Sequence, residues 1–221
     1  MFERKPIFRD RSEAGQRLGA RLREHELKYP IVLALPRGGV PVGFEVAKAL
    51  NAPLDILLVR KIGAPGHEEL ALGAVVEGSP PITVVNDGVS HELQHFISEE
   101  SARQAREIER RRAAYRGGSP PPELPGRTAV VVYDGIATGA TLRAALEAMK
   151  RTGAAKVIAA IPVAPDDSLP AVATLADEVV CLVTPEHFYA VGLHYETFGQ
   201  TSDEEVVRLL DAAAGFGGCA V

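Results

Sequence analysis

The sequence predicts an α/β fold in which a mostly parallel central sheet is flanked by helices. Short apolar runs typical of strands alternate along the chain with segments whose apolar residues recur at helical spacing. These runs are continuously apolar, as are strands buried on both faces of a parallel sheet. With 221 residues, of which 46% are hydrophobic, the chain is long enough to form one sizeable core. We therefore expect residues 1–221 to form a single domain.

The first part of the chain shows the alternation of elements most simply. Apolar residues at a spacing near 3.6 predict a helix over residues 11–28. IVLAL, residues 31–35, predicts a short buried strand that ends at the Pro-Arg-Gly-Gly sequence of residues 36–39. A helix over residues 40–50 and a second strand over residues 54–60 follow.

The middle of the chain is less regular. Residues 63–81 are rich in glycine and proline and predict a loop, with a short hairpin inside it as an alternative. ITVV, residues 82–85, predicts another strand. Residues 90–116 predict a long, highly charged helix, and we take residues from about 86 to 120 as a helical insertion with its linker.

The charged helix carries acidic and basic residues four positions apart, at Glu99 and Arg103 and at Glu107 and Arg111. Such pairs favour an exposed helix that is stabilised by ion pairs on its own surface. Two alternatives remain open, a contact between subunits and the binding of phosphate or RNA by residues 110–112.

The last part of the chain returns to regular alternation. Strands are predicted over residues 128–133, 156–163 and 178–183, and helices over residues 141–153, 167–176 and 201–215. Ser202 is followed three residues later by Glu205, which is the pattern of a capping box at a helix start.

Composition narrows the classes of function. The formal net charge is −5, which argues against a nucleic-acid-binding surface over the whole protein. The chain has no apolar run of the length that crosses a membrane, and its N-terminal segment is charged. Cys181 and Cys219 form neither a redox nor a metal-binding pattern. We therefore expect a cytoplasmic protein that has no membrane partner.

The most informative segment joins the predicted strand at residues 128–133 to the helix that follows. Gly135 and Gly139 permit a sharp turn, after which the backbone N–H groups of a starting helix point outward. Such groups, with the helix dipole, form an anion site, and the hydroxyls of Thr138 and Thr141 add donors. Asp134 at the rim can accept hydrogen bonds from sugar hydroxyls. The segment therefore suits a sugar phosphate.

Three motifs in this chain resemble those of the type I phosphoribosyltransferases, most closely an uncharacterised bacterial branch of that family. VVVYDGIATGAT resembles the segment that binds phosphoribosyl pyrophosphate (PRPP), ALPRGGVPVGFEVAKAL resembles the pyrophosphate loop, and VRK at residues 59–61 supplies a basic residue at a strand end. Their order and spacing also agree, so the resemblance covers roughly residues 10 to 200.

The resemblance implies a role for each matching position. The 5-phosphate would be bound by Gly135, Ala137, Thr138, Gly139, Ala140 and Thr141. Tyr133 and Asp134 would bind the ribose hydroxyls, and Arg37, Gly38, Gly39 and Lys61 would bind pyrophosphate. Asp134, Lys61 and Arg37 would act in catalysis, and Mg²⁺ would bridge pyrophosphate and ribose with no direct protein ligand.

This chain departs from the family pattern at two positions. The motif normally carries two adjacent acids, and here Tyr133 stands at the first of them. The turn at residues 135–137 also lacks the acid that many purine-using members carry there.

The family places its acceptor site under a C-terminal hood, which corresponds here to residues from about 184 to 200. Phe188, Tyr189 and Tyr195 would stack on the acceptor, with Phe198 as a further aromatic. The alternative is that these side chains form a small core beneath the loop.

The resemblance implies transfer of a 5-phosphoribosyl group from PRPP to a nucleobase-like acceptor with release of pyrophosphate. A PRPP- or nucleotide-binding regulator with little catalysis is the second hypothesis. Cleavage of a phosphoribosyl compound is the third. The expected partners are PRPP and a small acceptor, and the family leaves a homodimer open.

Overall fold

A computed structural model describes residues 6–78, 80–86 and 88–217, with the side chains of residues 68 and 69 excepted. Cys219 lies outside the described residues. The helices and strands are α1 (Arg11–Leu22), β1 (Ile31–Ala34), α2 (Gly39–Leu50), β2 (Leu54–Ile56), β3 (Val59–Ala64), β4 (His67–Val76), β5 (Ile82–Val85), α3 (Gln94–Arg116), β6 (Thr128–Val132), α4 (Ala140–Met149), β7 (Lys156–Val163), α5 (Leu169–Ala173), β8 (Glu178–Val183) and α6 (Asp203–Ala212).

The central sheet has five strands in the order β2-β1-β6-β7-β8, and every neighbouring pair is parallel. All residues of β1 and β6 are buried, as the continuously apolar runs predict. The predicted fold class is confirmed. All five strands end at one edge of the sheet, so the loops that leave β1, β6 and β7 lie side by side.

The predicted single strand over residues 54–60 is wrong. The chain leaves the central sheet after Ile56, and Val59 begins a separate antiparallel sheet in which β3, β4 and β5 are adjacent. The apolar run continues across this break, so hydrophobicity alone gave no sign of it. The hairpin alternative for residues 63–81 is confirmed, because β3 and β4 pair across a turn in which Gly66 has a φ of 72°.

Helix α1 packs closely on α2 at one face of the central sheet. A Cβ atom at Gly15 would lie 2.6 Å from the carbonyl oxygen of Val42, so the two backbones approach too closely for any side chain. The carboxylate of Asp10 caps α1 by accepting a hydrogen bond of 2.8 Å from the backbone N–H of Glu13. This packing fixes the N-terminus of α1, and with it Arg11. The helix ends at Leu22, before the end of the predicted span, residue 28.

The charged helix is partly buried. In α3 the buried residues are Ile97, Gln104, Ile108 and Tyr115, which recur at heptad-like spacing, and this stripe faces β3 and α6. The predicted pair of Glu107 and Arg111 is present at 2.8 Å. Arg103 instead pairs with Glu100, one helical position closer, at 2.6 Å.

The remaining elements agree with their predicted spans to within a few residues. The capping box of α6 is confirmed at its N-cap, since Ser202 Oγ accepts a hydrogen bond of 3.1 Å from the backbone N–H of Glu205. Among the described residues, no helix is long and apolar enough to span a membrane.

Candidate functional site

The loops after β1 and β6 touch at the carboxyl edge of the central sheet. Strands β1 and β6 are paired up to Ala34 and Val132, so both loops start at the same level. A Cβ atom at Gly38 would lie 2.1 Å from Asp134 Oδ2, and one at Gly39 would lie 2.9 Å from the carbonyl oxygen of Val132. Only glycine allows this approach, so the Arg-Gly-Gly turn and Asp134 belong to one site.

Asp134 is buried in this site and forms an ion pair with Arg11. Arg11 Nε donates to Asp134 Oδ2 at 2.9 Å, and the two side chains are 13% and 10% exposed. Burial raises the pKa of Asp134, and the charge and hydrogen bond of Arg11 oppose that rise. The acid expected at the rim is therefore held inside the protein beside a cation.

Arg11 also ties the site to the hood. Its Nη1 donates a hydrogen bond of 2.7 Å to the carbonyl oxygen of Gly199, and its guanidinium lies 3.8 Å from the ring centroid of Phe198. Sequence reasoning missed Arg11. It is one of several arginines near the N-terminus, and only the packing of α1 distinguishes it from the others.

Tyr133 stands where the related motif has its first acid. Burial, with a smaller contribution from the charge of Asp134, raises the pKa of Tyr133 from 10.0 to about 12. The phenol is therefore uncharged at neutral pH. The site contains one carboxylate and one neutral hydroxyl in place of two carboxylates.

The predicted phosphate loop leads into the N-terminus of α4. Gly139 caps the helix in the left-handed conformation, with a φ of 71°. The first helical N–H groups, from Ala140 onward, have no partner within the helix. Ala137 and Thr138 are exposed and Thr141 is half-buried, so this helix end is open to a ligand.

Two buried residues anchor the same loop. Ile136 is 2% exposed, and its backbone N–H donates to the carbonyl oxygen of Val163 at 3.1 Å. Gly135 has a φ of 152°, and a Cβ atom there would lie 2.5 Å from Val191 Cγ1 in the hood. The loop is thus held between β7 and the hood.

Arg37 follows a cis peptide bond from Pro36 and is exposed beside the glycine turn. Its Nη1 lies 3.6 Å from Asp203 Oδ1 at the start of α6. The phenol of Tyr115 donates a hydrogen bond to the same carboxylate.

The structure places Lys61 on a different sheet from Arg37. The prediction that it ends a strand of the central sheet is wrong, because it lies within β3. It borders a cavity of about 610 Å³ lined by β3, the turn that follows it and α3, with Arg60, Glu100 and Arg103 among the lining residues. Its assignment to pyrophosphate stays a prediction.

The aromatic residues of the hood differ in exposure. Tyr195 is 4% exposed, its hydroxyl donates to the backbone carbonyl of Asp134 at 2.5 Å, and its ring stacks on Phe198. Phe188 stacks on His194 at 5.0 Å, while Tyr189 is 82% exposed. For Tyr195 this placement favours the alternative of a small core beneath the loop.

In the part of the chain that the structure describes, no group of three or more His, Cys, Asp or Glu side chains is arranged to hold an ion. The one carboxylate between the two loops, Asp134, is paired with Arg11.

The sequence and structure of this chain are similar to those of known proteins. The family described as "Phosphoribosyl transferase domain" matches residues 10–196. Two curated proteins from strains of Mycobacterium tuberculosis are 49% identical to this chain over 94% of its length, and both are named provisionally as phosphoribosyl transferases. The match covers 47% of their length, so this chain spans about half of those relatives.

A solved structure is also similar. The crystal structure of protein TT1426 from Thermus thermophilus is 42% identical in sequence and superposes with a TM-score of 0.82. That match covers 94% of this chain and 99% of the other.

Proposed function

This chain belongs to the phosphoribosyl transferase domain family, and from that premise we propose that it binds Mg-PRPP and transfers its 5-phosphoribosyl group to a nucleobase-like acceptor. One observation carries the proposal. The glycine turn of residues 36–39, the carboxylate of Asp134 and the N-terminus of α4 meet at one edge of the central sheet. Ligands of open α/β sheets bind at this edge.

The N-terminus of α4 would bind the 5-phosphate. The backbone N–H groups near Gly139 point out of the helix start, and the helix dipole favours an anion there. The hydroxyl of Thr138 is exposed and that of Thr141 is half-buried, so both residues can add hydrogen bonds. The ribose would then extend from the helix end toward Asp134.

Asp134 would accept hydrogen bonds from the ribose hydroxyls. A carboxylate has about four acceptor positions, and Arg11 Nε occupies one of them, at Oδ2. The ion pair therefore opposes the rise that burial causes in the pKa of Asp134 and orients the carboxylate, while it leaves acceptor capacity for a sugar. The neutral phenol of Tyr133 would contribute one further hydrogen bond at most.

Pyrophosphate would lie over the Arg-Gly-Gly turn. Arg37 is exposed, and its present partner Asp203 is also exposed, so the guanidinium can exchange that contact for an anionic ligand. Gly38 and Gly39 allow the backbone to approach a ligand closely. Lys61 would have to reach this group from the neighbouring sheet.

The reaction would proceed by substitution at C1 of the ribose. The bond from C1 to the pyrophosphate oxygen breaks and its electron pair leaves with pyrophosphate, while a nitrogen of the acceptor forms the new bond and gives up a proton. The contribution of the protein is to position the reactants and to neutralise charge on the leaving group. Mg²⁺ would enter as part of the Mg-PRPP substrate.

One observation favours a second function, a PRPP- or nucleotide-binding regulator with little catalysis. Of the two adjacent positions where the related motif carries acids, only Asp134 has a carboxylate, and that carboxylate already has a cationic partner. A ribose held by fewer charged hydrogen bonds would be bound but less well stabilised in the transition state.

A pooled assay tests the proposed transfer. The protein is incubated with Mg-PRPP and a mixture of purine and pyrimidine bases, and mass spectrometry looks for new nucleoside monophosphates. A new monophosphate that Asp134→Ala fails to make supports the transferase, with Asp211→Ala, an exposed acid on α6, as the control.

Binding is measured in parallel by thermal unfolding. Mg-PRPP at about 100 times its dissociation constant should stabilise the fold by about 2.7 kcal/mol. Stabilisation without any product would favour the regulator. The absence of both stabilisation and product would contradict both functions.

A further inference from the structure

A second cavity lies away from the loops that form the candidate site. It has a volume of about 550 Å³, within the range of small-molecule pockets. None of its lining residues belongs to residues 36–39 or 133–141. Its walls are mainly apolar, and they come from strands β1 and β2, from residues 77–78, from the end of α4 and from two proline-rich segments at residues 80–83 and 121–125.

One acid in this wall is deeply buried. The side chain of Glu77 is 2% exposed, and its Oε1 accepts a hydrogen bond from Arg116. Its Oε2 is also buried, and among the described residues no hydrogen-bond donor reaches that oxygen. A buried polar atom without a partner is costly and uncommon in folded proteins. Glu77 is therefore suited to a ligand that brings a donor.

The charges around Glu77 specify the kind of donor. Arg116 Nε also pairs with Asp55 Oδ1 at 2.6 Å, and the Arg116 side chain is only 7% exposed. One buried guanidinium thus serves two carboxylates, so the group has one positive charge for two acids. Burial raises the pKa of Glu77 and Arg116 opposes that rise, so a second cation beside Glu77 would favour its charged form. At the rim of the cavity, the exposed Glu123 and Arg151 have opposite charges and offset each other.

We propose that this cavity binds a compact organic cation, namely a primary amine on an apolar body whose ammonium group donates to Glu77 Oε2. The apolar body would lie against the cavity wall that Leu33, Leu124 and Met149 line. The ammonium would supply both the missing hydrogen bond and the missing positive charge. This site is independent of the proposed transferase site and would accept its ligand without PRPP.

Benzylamine is a suitable probe, and Met149 is a suitable reporter. The chain has two methionines, Met1 and Met149, so methyl-labelled methionine gives a two-signal spectrum that Met149→Leu assigns. Benzylamine titrated through the millimolar range should shift the Met149 methyl signal and saturate. Benzyl alcohol, which has the same ring but no charge, should bind about tenfold more weakly, because hydrogen bonds between charged groups are the stronger ones.

Glu77→Gln provides the decisive variant, because it removes the charge and keeps the shape. It should lower benzylamine affinity to about that of benzyl alcohol, while Glu123→Gln at the exposed rim should leave it unchanged. Asp134→Ala should also bind benzylamine normally, which separates this site from the proposed function. If Glu77→Gln does not fold, the comparison of benzylamine with benzyl alcohol on the natural chain still tests the proposal. A Met149 signal that does not move, or equal affinities for amine and alcohol, would overturn the proposal.

Discussion

Arg11 and Asp134 are 123 positions apart in the chain and are joined by a hydrogen bond of 2.9 Å between Arg11 Nε and Asp134 Oδ2. The contact links the first turn of α1 to the loop that follows β6. Because Arg11 also binds the carbonyl of Gly199, one guanidinium connects the N-terminal helix, the candidate ribose-binding acid and the hood. The geometry of Asp134 thus depends on a residue outside every motif in the chain.

The first prediction concerns the loss of this ion pair. Arg11→Met keeps most of the side-chain volume but leaves the buried carboxylate of Asp134 without its cation. Removal of one partner from a buried pair costs about 3 to 5 kcal/mol, and we expect the free energy of unfolding in urea to fall by about 3 kcal/mol. Arg21→Met is the control, because Arg21 lies on the same helix and its pair with Glu24 is exposed. Its effect should stay below about 1 kcal/mol. Equal losses in both variants would show that the contact with Asp134 contributes nothing specific.

The second prediction concerns the contact between the two loops. In Gly38→Ala the new methyl group would lie 2.1 Å from Asp134 Oδ2 and 3.2 Å from Arg11 Nε. The carboxylate would have to move, so we expect both lower stability and weaker stabilisation by Mg-PRPP in thermal unfolding. Gly215→Ala is the matched control, because no atom lies within 4 Å of a Cβ there. An unchanged PRPP response in Gly38→Ala would mean that Asp134 is not positioned by this contact.

Much of this site could be predicted from sequence because its parts are local. The loops that follow β1 and β6 contain Gly38, Gly39, Asp134 and Gly139. The carboxyl ends of parallel strands come together in any fold of this class. Glycine is required at these positions either because two backbones approach closely or because the backbone is left-handed. Both requirements can be inferred from the presence of glycine in the sequence.

The parts that could not be predicted depend on tertiary contacts. Arg11 reaches Asp134 only because α1 packs on α2, and nothing in its own segment shows that partner. The break between Ile56 and Val59 lies inside a continuous apolar run, and the two sides of the break belong to different sheets. Tyr195 resembles the exposed aromatics of a binding loop in sequence, and its burial follows from its hydroxyl contact with the backbone of Asp134.

The third prediction concerns ionisation of Tyr133. Burial raises the pKa of Tyr133 from 10.0 to about 12, so folding favours the neutral phenol. Its contribution to stability is therefore complete below about pH 10 and is lost as the pH rises toward 12. We expect the difference in phenolate absorbance between the natural chain and Tyr133→Phe to appear near pH 12. A difference that develops near pH 10 would show an accessible phenol and would contradict its burial beside Asp134.

The fourth prediction separates backbone strain from phosphate binding at Gly139. Gly139 and Gly153 have φ values of 71° and 74°, and the nearest atom to a Cβ lies 3.7 Å away at both positions. Replacement of either residue by alanine therefore introduces the same left-handed strain without a clash, at a cost of about 1 to 2 kcal/mol. Only Gly139 lies at the N-terminus of α4, where relief of the strain would turn the first N–H groups away from a bound phosphate.

Urea denaturation should thus show similar losses of stability for Gly139→Ala and Gly153→Ala. Calorimetric titration with ribose 5-phosphate, which carries the 5-phosphate without pyrophosphate, should show weaker binding for Gly139→Ala alone. Because the two variants share the same strain, a difference in affinity can come only from position in the fold. Equal affinities in the two variants would place the 5-phosphate elsewhere than at the start of α4.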